Sequence, residues 1–361
     1  MASRETPPTR VQVITPSQSL GQTERRSKSR SIARRLHAPY TKTPGSRKIH
    51  GLRSRLSRTP NDSRSSIQSL HRLVNKTWHA HHVTPLSRFS TDATALRRFA
   101  RHLSSHLQAE SQKGVGVMME DNIISKYAVF TTLPTSVTDS EHPSVELSIF
   151  GSKSQAAAAG SSPSWTAILF PSTSIQTSKD SANFFSLPLM LVKGAVRTTQ
   201  CVLHWMEMQF DCCIKKLTFN PMYLSWMVSM WAGSLPDPKK SGEDKKCAVE
   251  LVYSMPKGIT GLNKVTMTID AKDAKALWES VHDNTSDDAK EEEVTAFMKA
   301  LEDHFHACFK VHLSALHLKT IGTAAAYVGA EGRVKMLSVR EAGGVLQHLL
   351  ELAEEQNTDI L

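Results

Sequence analysis

Apolar positions are densest between Asn220 and Trp231, where eight of twelve residues are apolar or aromatic. Asn220 suits an N-cap, and Pro221 suits the first helical position, where a missing N–H costs nothing. Leu224, Met227, Val228 and Trp231 share one helical face, and Met222, Trp226 and Met230 cover most of the rest. A helix that is apolar nearly all round is buried in a large protein or a membrane. Twelve residues are too few to span a bilayer, so the pattern predicts a helix inside a globular core.

The remaining pattern alternates between the two periods. Ile67, Leu70, Val74 and Trp78 fall on one helical stripe, and Leu96, Phe99, Ala100, Leu103 and Leu107 on a second, with Thr91 or Asp92 as its cap. From Lys113 to Lys193 the texture is that of strands: Gly114–Met119, Lys126–Leu133, Val145–Phe150, Trp165–Phe170 and Phe184–Val192. Residues 151–164 read as a flexible loop. Thr198–Asp211 is helical, with Val202, Leu203, Met206 and Phe210 inward. After a boundary at Gly233–Lys246 come strands Cys247–Ser254 and Lys264–Ile269, the second with one solvated face. A helix capped by Asp270 follows, then an acidic loop from Asp283 to Glu293. The next helix buries Val294, Phe297, Met298, Leu301 and Phe305. A hairpin closes the pattern: one strand from Phe309 through Ile321 toward Val328, a turn at Gly329–Gly332 and a return along Arg333–Val339. A last helix places Val345, Leu346, Leu349 and Leu352 on one side. The fold class expected is α+β, as two packed α/β subdomains with mostly antiparallel sheets. Residues 65–235 form the N-terminal one and 247–361 the C-terminal one.

Charge separates a third region. The chain of 361 residues has a net charge of +10. Residues 1–64 hold 15 Lys+Arg against 3 Asp+Glu, a net of +12, leaving −2 for the other 297 residues. This segment is rich in Arg, Ser, Thr and Pro, and too poor in apolar residues to offset the entropy of ordering. It is expected to be a disordered tail. Its Arg25, Arg26, Lys28, Arg30, Arg34, Arg35, Arg47, Lys48, Arg53, Arg55 and Arg58 are candidates for phosphate contact with nucleic acid, sequence-independent and salt-dependent. Thr6, Thr15, Thr43 and Thr59 each precede Pro, and phosphorylating them would weaken that attraction. Arg-rich, acid-poor composition also describes a mitochondrial transit peptide, but sparse apolar residues and frequent Pro rank that reading second.

Candidate chemistry is thin. Cys201, Cys212, Cys213, Cys247 and Cys308 are odd in number and contain no Cys-x-x-Cys, so they read as buried reduced thiols. His79, His81 and His82 straddle a predicted helix end without a nearby carboxylate or Cys, and read as surface histidines. His304 and His306 point to different faces of a helix. Gly114-Val115-Gly116 lacks the third glycine and following helix of a nucleotide fingerprint. No nucleophile elbow, Walker, zincin or kinase pattern occurs. No apolar run approaches transmembrane length, no secretory signal is expected, and no metal or cofactor is called for.

Four stretches carry a family resemblance. They are Trp78 through Val83-Thr84-Pro85-Leu86 to Phe89, Leu224-Ser225-Trp226-Met227 to Met230-Trp231, the run Asp273 to His282, and residues 294–318. Together they resemble the centromere protein L family of the inner kinetochore, over roughly residues 65–361. In the tail, Thr43-Pro44 followed by Arg47-Lys48-Ile49 is similar to the family's tail. The resemblance implies a two-part α+β protein without enzymatic activity. It also implies an obligate heterodimer with centromere protein N, formed through the C-terminal half. That dimer would belong to the constitutive centromere-associated network, with centromere protein C, on nucleosomes of the centromeric histone variant and their DNA. A nuclear, centromeric location follows. The alternative of another class is an α+β hydrolase or transferase, imported into mitochondria, with a site assembled from distant residues.

The C-terminal hairpin, if it ends the sheet, offers an edge for a partner strand. Its apolar positions Val311, Leu313, Leu318, Ile321, Val334 and Met336 are the candidate partner interface, with Lys310, His312, Ser314 and Lys319 as polar cover.

Overall fold

The computed structural model describes residues 70–113, 126–133, 142–151, 162–172, 184–232, 248–256, 258, 261–283 and 288–358, and the backbone of 12–14 and 46–48. Its strands are β1 (Gln12–Ile14), β2 (Ser46–Lys48), β3 (Thr77–Val83), β4 (Leu86–Ser87), β5 (Lys126–Leu133), β6 (Ser144–Gly151), β7 (Trp165–Phe170) and β8 (Phe184–Phe185). They continue with β9 (Leu189–Lys193), β10 (Ile214–Lys216), β11 (Ala248–Ser254), β12 (Lys264–Asp270), β13 (Asp288–Lys290), β14 (His317–Gly322), β15 (Ala326–Gly329) and β16 (Arg333–Met336). The helices are α1 (Ala93–Gln112), α2 (Val196–Phe210), α3 (Pro221–Trp231), α4 (Ala271–Val281), α5 (Glu291–Phe309) and α6 (Val339–Thr358). Helices and mostly antiparallel strands together make the fold α+β, as the sequence pattern predicts.

One sheet of twelve strands runs through both halves, in the order β1-β12-β11-β14-β15-β16-β3-β9-β7-β6-β5, with β10 also beside β3. The seam between the halves is β16 against β3, with Val334 opposite Trp78 and Arg333 opposite His79. Register carries one apolar row across six strands: Met267, Leu251, Ile321, Val328, Val334 and Trp78 are successive cross-strand neighbours. Every one is buried, because directly opposed residues of paired strands point to the same face of the sheet.

Two helical layers explain why the strand patterns differ. α1 and α2 cover one face of β5, β6, β7 and β9, where Phe99, Phe130, Trp205 and Phe210 join a buried cluster. α3, α5 and α6 supply a second cluster on the opposite face. Along β7, Ala167 and Leu169 enter the first cluster while Ile168 and Phe170 enter the second. Along β9, Met190 and Val192 face one way, Leu189 and Leu191 the other. Strands buried on both faces read as continuous apolar runs, which is the texture of Leu189–Val192. Among the described residues, one face of β11 and β14–β16 has no such cluster, and polar residues alternate with apolar ones.

The all-apolar stretch is the helix its pattern predicts. Asn220 caps α3 by accepting the Tyr223 N–H at 2.8 Å. Trp226, Met227 and Val228 are completely buried, and the helix packs on β14 and α5. α4 is capped by Asp270 as expected, its carboxylate accepting the Lys272 N–H at 2.8 Å. The predicted core faces of α1, α5 and α6 are all buried, save Ala100, which is half-buried.

Several expectations are corrected. Trp78 lies on a strand, not on a helical stripe with Leu70. Asn75 takes a left-handed φ of 59°, which stops the preceding turn, and Trp78 and Ala80 then alternate inward. The strand expected from Phe184 to Val192 breaks in two around Pro188, which has no N–H to give a ladder. The long strand expected from Phe309 is absent. Phe309 ends α5, Lys310 follows with φ 58°, and Leu313–Ala315 form a 3-10 turn before β14 starts. β14 and β15 are then separated by Thr323, whose hydroxyl accepts the N–H groups of Ala325 and Ala326. The hairpin is thus a three-strand meander. Two short pieces of the tail expected to be disordered are strands: β1 runs parallel beside β12, and β2 pairs antiparallel with β13. The first falls in the tail's β-branched run Val11 to Thr15, a composition that favours extended pairing. The expected strand Gly114–Met119, the boundary Gly233–Lys246, most of the loop at 151–164 and the rest of the tail lie outside the described residues.

Candidate nucleic-acid interface

The open face of the sheet carries a strip of cations at the seam. β16 alternates Arg333, Val334, Lys335 and Met336, and burial sends Val334 and Met336 inward. Arg333 and Lys335 therefore lie on the opposite face, beside His79 and Thr77 of β3 in register. On the same side of β3, β10 sets Lys216 opposite His81, two residues along from His79. Tyr327, opposite Lys335 on β15, presents a 39% exposed aromatic side chain beside the strip.

A close backbone approach brings the strip together. Gly332 has a φ of +77°, and a Cβ there would lie 2.4 Å from the Leu217 carbonyl oxygen. Without that Cβ, Ala80 N–H donates to the Gly332 carbonyl at 2.8 Å and Leu217 N–H donates to the Ala80 carbonyl at 3.0 Å. The start of β16 and the end of β10 thus meet at Ala80, with Arg333 and Lys216 flanking His79.

Electrostatics agrees with that geometry. His79 is held below the usual histidine range by burial first, then by the positive charges of Arg333 and Lys216. His81 is pushed down to about 4, chiefly by burial, with His79 and Lys216 adding to the effect and its hydrogen bond to the His79 carbonyl opposing it. Both rings thus stay neutral near pH 7. Among the described residues no carboxylate pairs with Lys216, Arg333 or Lys335. Neighbouring Lys319 is different: it sits 3.5 Å from Glu331. Cations that no described carboxylate pairs, on a half-polar sheet face with an exposed aromatic ring, suit phosphate contact and stacking.

Sequence reading misses this strip, because net charge places nearly all the positive excess in the tail. The local signal is the alternation of Arg333 and Lys335 with apolar residues, together with the doublet Lys215-Lys216. Of the predicted tail contacts, only the backbone of Arg47 and Lys48 falls in the described residues, within β2. Arg25, Arg26, Lys28, Arg30, Arg34, Arg35, Arg53, Arg55, Arg58 and the threonines Thr6, Thr15, Thr43 and Thr59 lie outside them.

The expected partner edge is corrected. β14 lies between β11 and β15, β15 between β14 and β16, and β16 between β15 and β3, so these strands are interior. Leu313, Leu318, Ile321, Val334 and Met336 are buried in the chain's own core, and of the six only Val311 is exposed, at 41%. Its late place in the sequence suggests that the hairpin ends the sheet. It pairs instead with β3, from the opposite end of the described body. The three histidines are corrected as well. They stand on β3 rather than at a helix end; His79 is on the surface as expected, whereas His81 and His82 are buried. Three of the thiols, Cys201, Cys212 and Cys213, are half-buried and Cys308 is exposed, against the buried set expected. Cys247 lies outside the described residues.

The family model described as Centromere protein L matches residues 72–354. Among curated relatives, centromere protein L of Bos taurus is 32% identical over 328 residues, covering 86% of this chain and 91% of that protein. The protein of the same name from Gallus gallus is 33% identical over 289 residues, covering 79% and 80%. That of Homo sapiens is 33% identical over 286 residues, covering 78% and 79%. Matched by the family model and by these relatives over most of its length, the chain belongs to the centromere protein L family.

Proposed function

We propose that this chain is a non-enzymatic, structural subunit of the inner kinetochore. It acts in the nucleus at the centromere and heterodimerises with centromere protein N. Together with centromere protein C and other subunits of the constitutive network, it holds centromeric nucleosomes and their DNA. In this role it supports kinetochore assembly, mitotic progression and chromosome segregation. Family membership supports the centromeric role, and the observation that carries the DNA-proximal part is the strip Lys216, Arg333 and Lys335, unpaired with any described carboxylate. The basic tail adds a second positive element of the same sign. Each phosphate neutralised releases counterions, so binding by such elements falls steeply with salt.

In this reading, dimerisation through the C-terminal half uses β12 rather than the meander. β14, β15 and β16 are already paired on both sides, whereas among the described residues β12 is backed at the sheet's end only by the three residues of β1. An edge of that kind invites strand addition. Purification of the tagged chain from dividing cells, with mass spectrometry of what accompanies it, tests the reading. Recovery of centromere protein N in equal amount supports it; recovery of mitochondrial import and matrix proteins instead would favour the enzyme alternative.

A further inference from the structure

We infer that the body carries a docking place for its own basic tail, and that this clasp competes with nucleic acid for the tail. The inference rests in part on the nucleic-acid reading above. Its motive is the antiparallel pairing of β2 with β13, in which Lys48 stands opposite Asp288, Arg47 opposite Ala289 and Ser46 opposite Lys290. The two strands come from segments of opposite charge. Residues 42–48 contain Lys42, Arg47 and Lys48 with no acid, while residues 283–293 contain Asp283, Asp287, Asp288, Glu291, Glu292 and Glu293 against the single base Lys290.

The acidic segment has a fixed end. Glu293 is buried and fully engaged: its carboxylate accepts the N–H groups of Asp283 at 3.0 Å and Lys290 at 2.9 Å, and meets His282 at 3.1 Å. That ties the end of α4 to the start of α5 and holds β13 in an extended conformation, its edge open to a strand. Ala289 is completely buried, so β13 is anchored to the body. Among the described residues Glu291 and Glu292 have no such bonds, and they stay at least partly open to solvent. A basic strand is therefore held by backbone hydrogen bonds on a rigid ledge and by the negative potential around it. DNA offers Arg47 and Lys48 a denser line of negative charge. Occupying one site then releases the other, and the clasp lowers the tail's apparent affinity for DNA until enough phosphate is present.

The experiment is amide hydrogen exchange on the full chain, with and without a short DNA duplex. Without DNA at low salt, the amides of 46–48 and 288–289 exchange several-fold slower than at high salt; the Lys290 N–H, held by Glu293, does not report on the clasp. The double variant E291Q/E292Q, and separately R47Q/K48Q, abolish that protection; two variants from opposite sides of the clasp guard against a local effect on α5. With saturating DNA, residues 288–289 lose protection in the wild type, and E291Q/E292Q binds DNA several-fold tighter than wild type. Exchange of 46–48 at the rate of an unstructured peptide in wild type, or protection indifferent to both variants, overturns the clasp. Protection of 288–289 that persists with DNA bound overturns the competition. A chain that binds no DNA refutes the nucleic-acid reading and the competition with it, while the salt and variant responses still decide the clasp.

Discussion

Asn357, in the last turn of α6, closes on His82 of β3: the imidazole Nδ1–H donates to Asn357 Oδ1 at 2.9 Å, and Asn357 Nδ2 donates to the Val83 carbonyl at 2.8 Å. All three residues are buried, and the pair joins residues 275 positions apart in the chain. Nearby, Gln356 Nε2 donates to the Thr218 carbonyl at 2.8 Å, and the Ser172 hydroxyl donates to Glu354 at 2.6 Å. The final helix is therefore fastened to the N-terminal half at its far end, not only through its apolar face. Asn357→Leu keeps the volume and strands a buried N–H and a buried C=O. It is expected to cost about 2–3 kcal/mol, since each orphaned buried polar group costs roughly 1–3 kcal/mol. Urea unfolding checks this; an unchanged midpoint would mean that the latch contributes nothing.

Trp226 and Trp231 lie 0% and 3% exposed in α3. Truncation of either to Ala removes a large buried ring, and is expected to cost about 3–5 kcal/mol. Thermal melts of both variants within a degree or two of wild type would contradict a central place for α3.

Glu341 gives the stability a pH dependence of definite sign. Burial in the first turn of α6 pushes its carboxyl up to about 7, with Arg340 only partly opposing. Between the ordinary value of 4.5 and about 7 the folded chain thus holds a proton that the unfolded chain releases. Stability from this group is fully present below 4.5 and declines as pH rises through about 7. Buried His81 contributes the opposite slope as pH falls from 6.5 toward about 4, because the unfolded chain binds a proton there first. Glu341→Gln is expected to flatten the decline between 4.5 and about 7, and to raise stability at pH 8 relative to wild type. Denaturation at pH 5, 6.5 and 8 checks it; parallel curves for variant and wild type would remove Glu341 from the account.

The cation strip makes a separable prediction. Lys216 and Arg333 are exposed, so Lys216→Gln with Arg333→Gln should leave the melting temperature nearly unchanged. DNA affinity at low salt should fall, and the slope of log affinity against log salt should drop by about 0.9 for each phosphate that the variant no longer neutralises. A duplex titration at several salt concentrations measures both. An unaltered slope would restrict nucleic-acid binding to the tail.

Much of this structure is legible in the sequence where one physical signal dominates. α3 is recognisable from Asn220, Pro221 and an unbroken apolar surface, and α5 from Val294, Phe297, Met298, Leu301 and Phe305 at helical spacing. β5 and β7 match their expected limits. Errors arise where local pattern is ambiguous and a distant partner decides. Leu70, Val74 and Trp78 satisfy a helical stripe, yet Trp78 joins a strand because Val334 lies opposite it. His82 looks like a surface residue until Asn357 arrives from the other end of the chain. The partner edge is misplaced for the same reason: nothing near Arg333 indicates that β3 will cover that side of it. The strip is also a product of topology, since Lys216 and Arg333 meet only through Gly332, Ala80 and Leu217.

The central claim is a structural role at the centromere, and imaging of a tagged full chain through the cell cycle tests it most directly. The account predicts paired nuclear foci that coincide with the centromeric histone variant and persist when Lys216→Gln and Arg333→Gln are introduced singly. A mitochondrial network, or a diffuse signal that never gathers at centromeres, would contradict it.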